Sequence, residues 1–283
     1  MTTIGAALAG AVRLGGDGRG RFHASSELSS WPGIVHGGGL VAALDEASAR
    51  LGGPAGARRI EGRLTSSVPV ETPLELEGYV QDGTVSVSFL DAGQPLTTGS
   101  VRAIGALAPE TAPPWRGGAG GWPLPMSEQC LACGSVNPLG LKLGLSFDAE
   151  GVWARFVPSA AWRTPEALHP ALAPVVLDEI AWWLGALAMR EGGLTNRIDL
   201  TLTGARAPMT ELAAFGRFDE VTAVDRRGSF RRAAVTLAAA DVTLARASIV
   251  FRGGPEYSAR QMEYFRGRSA PGVFSRMFPN YGP

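Results

Sequence analysis

Apolar residues recur along this chain with two distinct periods. Alternating or β-branched runs predict strands at Ala6 to Leu14, Gly20 to Ser25, Ile60 to Pro69, Leu74 to Gln81, Thr84 to Asp91 and Leu96 to Ile104. A second set follows at Leu141 to Phe147, Val152 to Val157, Arg197 to Arg206, Leu212 to Val224, Ser229 to Ala239 and Val242 to Phe251. Two longer segments, about Gly38 to Leu51 and Ala171 to Arg190, are apolar over most of a helical circumference and predict helices. In the first, Leu40, Leu44, Ala47 and Leu51 form one stripe. The order is strand, strand, helix, four strands, and it occurs twice.

The repetition extends to residue identity. HGGGLVAALDEASARLG begins at His36 and HPALAPVVLDEIAWWLG at His169. In each, an aspartate (Asp45, Asp178) follows the histidine by nine residues, with Leu before it and Glu after it. RRIEGRL at Arg58 corresponds to NRIDLTL at Asn196, and VSFLDAGQPLTTGSV at Val87 to VTLAAADVTLARASI at Val235. The halves read as diverged copies. Between them, PETAPPWRGGAGGWPLP is too rich in Pro and Gly to sustain either element and reads as a linker. The predicted organisation is a first domain at 1–110, a linker at 111–125, a second domain at 126–253 and an aromatic, basic extension at 254–283. One mostly apolar helix per half, with strands enough to wrap it, predicts an α+β fold in which an antiparallel sheet curls around each helix.

Composition narrows the partners. With 283 residues, 45% hydrophobic and 18% charged, the chain can bury a sizeable core. Lys and Arg total 26 and so do Asp and Glu, so no net positive field favours nucleic acid or an anionic membrane, and neither is expected as a partner. No uninterrupted apolar run reaches the roughly 18 residues of a membrane span, and no basic segment precedes the short apolar N-terminus, so a cytoplasmic location is expected. The two cysteines, Cys130 and Cys133, cannot make a disulfide framework. They have metal-ligand spacing, but a structural zinc site needs four ligands and the sequence offers no second Cys-x-x-Cys or His cluster. No metal and no cofactor are expected on that ground.

Three features carry candidate chemistry. Gly37 and Gly38 fall where the first helix begins, so their amides lack partners within the helix and its dipole favours negative charge there. Asp45 is a poor helix-interior residue embedded in an apolar segment beside Val41. In the second half Pro170 replaces Gly37, and a proline has no amide hydrogen to offer. Trp182 and Trp183 then place two rings after Asp178 and Glu179, either as a cavity wall or as core.

The His-Gly-Gly motif with an acid nine positions on resembles the hotdog-fold acyl-CoA thioesterases, in particular the phenylacetyl-CoA thioesterase-like group. CLACGSVNPLGLKLGLSF at Cys130 is similar to the opening of many hotdog proteins. The resemblance implies two hotdog domains in tandem, packed as an internal pseudo-dimer with sites at their interface. It implies an acyl-CoA or other acyl thioester as the partner, and no cofactor. Carried over, the Gly37 amide polarises the thioester, Asp45 is nucleophile or general base, and His36 shapes the turn or orients substrate. Gly38, Val41, Ser48, Arg58, Arg59, Trp182 and Trp183 would line the substrate site. Arg58 and Arg59 would meet coenzyme A phosphates or merely solvate a loop end. Asp178 and His169 would be relics or wall residues of a degenerate second site. A noncatalytic acyl-CoA or hydrophobic-ligand binding module and a hotdog lyase or dehydratase are the alternatives. The extension would pack on the body or on another subunit of a homo-oligomer.

Overall fold

The computed structural model describes residues 2–105, 110–112, 120–205 and 211–282. Its first element departs from the strand expected at Ala6 to Leu14: α1 (Ile4–Ala11) is a helix, and only β1 (Val12–Leu14) is extended. Ala-rich IGAALAGA favours a helix by propensity, the Thr3 hydroxyl caps it by accepting from the Ala6 amide, and Ile4 and Leu8 are buried. The first half continues with β2 (Arg19–His23), α2 (Gly37–Arg50), β3 (Arg58–Leu64), β4 (Pro73–Gln81), β5 (Thr84–Asp91) and β6 (Gln94–Ala103).

Most of the linker, 113–119, lies outside the described residues, as does the end of the Arg197 to Arg206 run. The linker's remainder is not wholly irregular: Thr111 bridges Val242, and β7 (Trp122–Pro123) pairs with β8 (Leu145–Phe147). Then come β9 (Gly151–Phe156), α3 (Leu172–Met189), β10 (Gly193–Leu202), β11 (Leu212–Arg217), β12 (Thr222–Ala223), β13 (Phe230–Ala239) and β14 (Val242–Gly253). The expected run from Leu212 to Val224 is thus split by a turn at Phe218–Glu220. The extension forms two helices, α4 (Pro255–Arg266) and α5 (Val273–Met277).

All strands join one sheet, ordered β1-β2-β4-β5-β6-β3-β10-β14-β13-β11-β9-β8-β7, with β12 beside β13. The halves meet at β3 and β10, which run antiparallel with Glu61 opposite Asp199. Arg59 reaches across to Asp199, and its counterpart Arg197 reaches back to Glu61 at 3.2 Å. These crossed pairs mark a pseudo-twofold axis. Each half is a sheet wrapped on its own helix, and the whole is a double hotdog of the α+β class.

The helices fill the concave side. Leu40, Val41 and Leu44 of α2 are at most 2% exposed, each burial stabilising by roughly 1.5–3 kcal/mol. α3 is long and apolar enough to cross a membrane, yet most of it is buried here against β10, β11, β13 and β14. The two helices also pack on each other, and the contact is closest at Gly38. A Cβ there would lie 2.2 Å from the Pro174 carbonyl oxygen, so only glycine permits the crossing.

Candidate active site

The helix crossing brings the start of α2 against the middle of α3. His36 caps α2, with its own amide bonded to the Leu28 carbonyl and its carbonyl accepting from Leu40. The Gly38 amide lies 2.7 Å from Asp178 Oδ2 and 3.1 Å from His36 Nδ1. The shorter, charge-assisted contact to the carboxylate is the stronger. The Thr195 hydroxyl, on β10, donates to Asp178 Oδ1 at 2.6 Å. His36 sits between two acids, Nδ1 at 3.3 Å from Asp178 and Nε2 at 3.2 Å from Glu179.

These groups border a pocket walled by Trp31, Leu40, Trp182, Trp183 and Phe265. Gly37, Asn196, Cys130, Cys133 and, from the extension, Tyr257 and Gln261 complete much of the lining. The extension therefore packs on the body: Gln261 bonds both the amide and the carbonyl of Gly193, fixing the start of the strand that carries Thr195.

Burial is the largest influence on Asp178 and raises its pKa above the ordinary aspartate value, against the opposing pull of the His36 charge, Thr195 and the Gly38 amide. Burial also disfavours a charged His36, but its hydrogen bonds with Cys130 and Glu179 and the nearby acids hold its pKa well above the usual imidazole range. Glu179, which burial would push up, is instead held below its ordinary value by His36 and the two thiols. Burial thus prevails at Asp178, while the His36 charge and the thiols prevail at Glu179.

Several sequence expectations need correction. Asp45 does not face this pocket. Eight residues at 1.5 Å rise carry it about 12 Å along α2 from Gly37, and there both its oxygens are bound by Arg58, at 2.7 and 2.5 Å. Arg58 is 5% exposed and also donates to the Ala55 and Gly56 carbonyls, so it is neither a phosphate ligand nor a solvated loop end. Arg59 is spent on Asp199 and Glu61 at the junction of the halves. Val41 is core against Gly62, and Ser48 is buried near Gly53 at the far end of α2. Gly38 supplies its amide to Asp178 and packs on α3 rather than lining the pocket. His36, Gly37, Trp182 and Trp183 do line it.

Asp178, read as relic or wall, lines the pocket with Gly37 and Thr195. Thr195, Asn196, Glu179 and Gln261 escaped the sequence reading. The aligned repeats held part of the signal, because Thr195 stands where the first half has Ala57 and Asn196 where it has Arg58. The pseudo-symmetric location has the opposite character. There His169 faces Asp45 and Arg58, with its pKa lowered by burial, Asp45 opposing and Arg58 adding. Gly5 of α1 packs against its ring.

The two tryptophans, expected as a cavity wall or as core, both line the pocket, in edge contact with centroids 5.0 Å apart. Trp182 donates its indole N–H to the Gly193 carbonyl at 3.0 Å, whereas the buried Trp183 Nε1 has no partner among the described residues. An unpaired buried donor costs about 1–3 kcal/mol. Trp183→Phe is therefore expected to leave stability to urea unchanged or raised, while Trp182→Phe lowers it by about 1 kcal/mol. Equal losses in the two unfolding curves would contradict the assignment of partners.

No family model and no curated protein matches this chain. Solved structures do. A Thermobifida fusca protein provisionally named thioesterase II superposes with a TM-score of 0.65 at 16% identity, covering 90% of this chain and 100% of its own. The acyl-CoA thioesterase II TesB2 of Mycobacterium marinum gives 0.57 at 13%, covering 89% and 99%. A dehydratase domain of a trans-AT polyketide synthase from Brevibacillus brevis gives 0.57 at 11%, covering 83% and 93%. At these identities the likeness establishes the double-hotdog fold.

Proposed function

We propose that this protein hydrolyses acyl thioesters, most simply acyl-CoA, at one site built from the start of α2 and the middle of α3. The observation that carries the reading is the placing of Asp178 and the Thr195 hydroxyl beside the amide end of α2, at the base of an aromatic pocket. Gly37 is the first residue of α2, so its amide has no acceptor within the helix and, together with the helix dipole, can hold the developing oxyanion. A water between Asp178 and Thr195 loses a proton to Asp178 as its oxygen bonds to the thioester carbon. The C–S bond then breaks and Asp178 returns the proton to the leaving thiolate. Trp31, Trp182, Trp183 and Phe265 suit an apolar or aromatic acyl group, phenylacetyl among them. Arg252, which lines the pocket and pairs with Glu256 at 3.5 Å, suits the anionic part of the substrate.

Dehydration, the reaction for which the structural neighbour from Brevibacillus brevis is named, needs a base free to take a carbon-bound proton and an acid for the departing hydroxyl. His36 is 1% exposed and both its ring nitrogens face carboxylates, which favours hydrolysis. The test is a panel of acyl-CoAs, aliphatic and aromatic, with thiol release followed photometrically. Turnover of an aromatic or medium-length member is expected. Saturable binding without thiol release from any member would point instead to a binding module.

A further inference from the structure

Beneath the pocket, the turn holding Cys130 and Cys133 meets His36 and Glu179, and the hydrolytic reading gives the two thiols no task. We propose that Cys130, Cys133, His36 and Glu179 form a structural site for a thiolate-favouring divalent cation, Zn²⁺ in the first instance.

Geometry is the first ground. Donor atoms around a tetrahedral zinc at its usual bond lengths stand roughly 3.3–3.8 Å apart. Glu179 Oε2 lies 3.2 Å from His36 Nε2 and 3.6 Å from the Cys130 sulfur. The ligand atoms of His36, Cys130 and Glu179 all fall within 4.8 Å of one another. Cys133 stands outside that set but on the same turn, its amide 3.4 Å from the Cys130 sulfur, and its thiol is the donor that would close on the ion to make four ligands of two thiols, one imidazole and one carboxylate.

The backbone supplies an independent ground. The amides of Ala132 and Cys133 point at the Cys130 sulfur at 3.3 and 3.4 Å, and that of Ser127 points at the Cys133 sulfur at 3.4 Å. The turn is closed by Gly134 N–H to the Cys130 carbonyl at 2.9 Å. Amides converging on sulfur stabilise thiolate rather than thiol, the form a metal takes. With Nε2 on the metal, Nδ1 carries the proton and faces Asp178 Oδ2 at 3.3 Å, the carboxylate–histidine–metal arrangement, and the Gly38 amide then bonds Asp178 alone, at 2.7 Å.

Binding would displace two thiol protons and the Nε2 proton, leaving two thiolates, a carboxylate and a neutral imidazole on the ion. With four protein donors no position stays open, so the ion is structural. Its effect is to pin His36, and with it the Gly37 and Gly38 amides, to α3.

The test needs no thioester, so its failure is distinct from failure of the hydrolase reading. Metal-stripped protein is titrated with Co²⁺, and protein expressed with zinc is assayed for metal after dialysis. Expected are about one zinc per chain, an intense sulfur-to-cobalt charge-transfer band, and loss of both in Cys133→Ser and in His36→Gln. A stripped wild-type chain that remains folded yet gains no cobalt–thiolate band would overturn the proposal. So would zinc retained in full by both variants. Unfolding on stripping, reversed by zinc, would support it.

Discussion

Asp178→Asn is expected to lower kcat for acyl-CoA hydrolysis by about 10³-fold or more, while Asp45→Asn leaves kcat within a few-fold. The asymmetry follows from surroundings, since the two aspartates occupy equivalent places in their helices. Asp178 faces the pocket, holds the Thr195 hydroxyl at 2.6 Å and lies beside the Gly37 and Gly38 amides. An amide side chain there cannot accept the water's proton. Asp45 is locked to Arg58 with both side chains largely buried, so its substitution strands a cation and costs about 3–5 kcal/mol of stability. The two variants should therefore separate: one inactive with near-normal unfolding, the other active per folded molecule but easily unfolded. Similar losses of turnover in both would refute the single-site reading.

A methyl group at either of two adjacent glycines should have large and different effects. At Gly37 it would sit 2.7 Å from Asp178 Oδ2 and 3.3 Å from Leu64 Cδ2, at the spot assigned to the thioester carbonyl. Gly37→Ala should fold, since alanine suits a helix, and lose kcat/KM by at least about 100-fold. At Gly38 the methyl would meet backbone: the Pro174 oxygen at 2.2 Å and the Val175 Cα at 2.7 Å. Neither atom can rotate away, so α2 and α3 must part. Gly38→Ala is expected to destabilise by at least about 3 kcal/mol, read from urea unfolding. A stable, inactive Gly38→Ala would mean that the crossing tolerates a shift.

The two central helices and most strands were legible because each rests on local periodicity, and the likeness of the halves because residues recur at fixed spacing. α1 was not, since apolar, Ala-rich IGAALAGA fits a buried strand or a helix equally well until Thr3 caps it. The site was half legible. His36 and Gly37 declare themselves by the helix start they occupy, and Pro170 correctly marks the copy that lacks an amide. The sequence pointed to Asp45 because it shares a helix with Gly37, whereas the structure sets Asp178 beside that helix start and binds Asp45 to Arg58. In the fold each helix start meets the other helix's acid, a long-range fact set by the crossing at Gly38. Nothing along one segment announces that Arg58 neutralises Asp45 or that Thr195 supports Asp178. The four prospective metal ligands likewise belong to three separate segments, so spacing alone could expose only the Cys-x-x-Cys pair.

The crossed pairs at the β3–β10 junction, Arg59 with Asp199 and Arg197 with Glu61, join two parts of one chain. A site shared between separate subunits disappears on dilution below their dissociation constant. Here the tether fixes the effective concentration of one half around the other, at roughly millimolar or above for a connection of this kind. Specific activity should therefore stay constant as the protein is diluted to nanomolar levels. The linkage also frees the two halves to differ, because a change in one helix is not imposed on the other: Asp45 is bound by Arg58, while Asp178 lines the pocket.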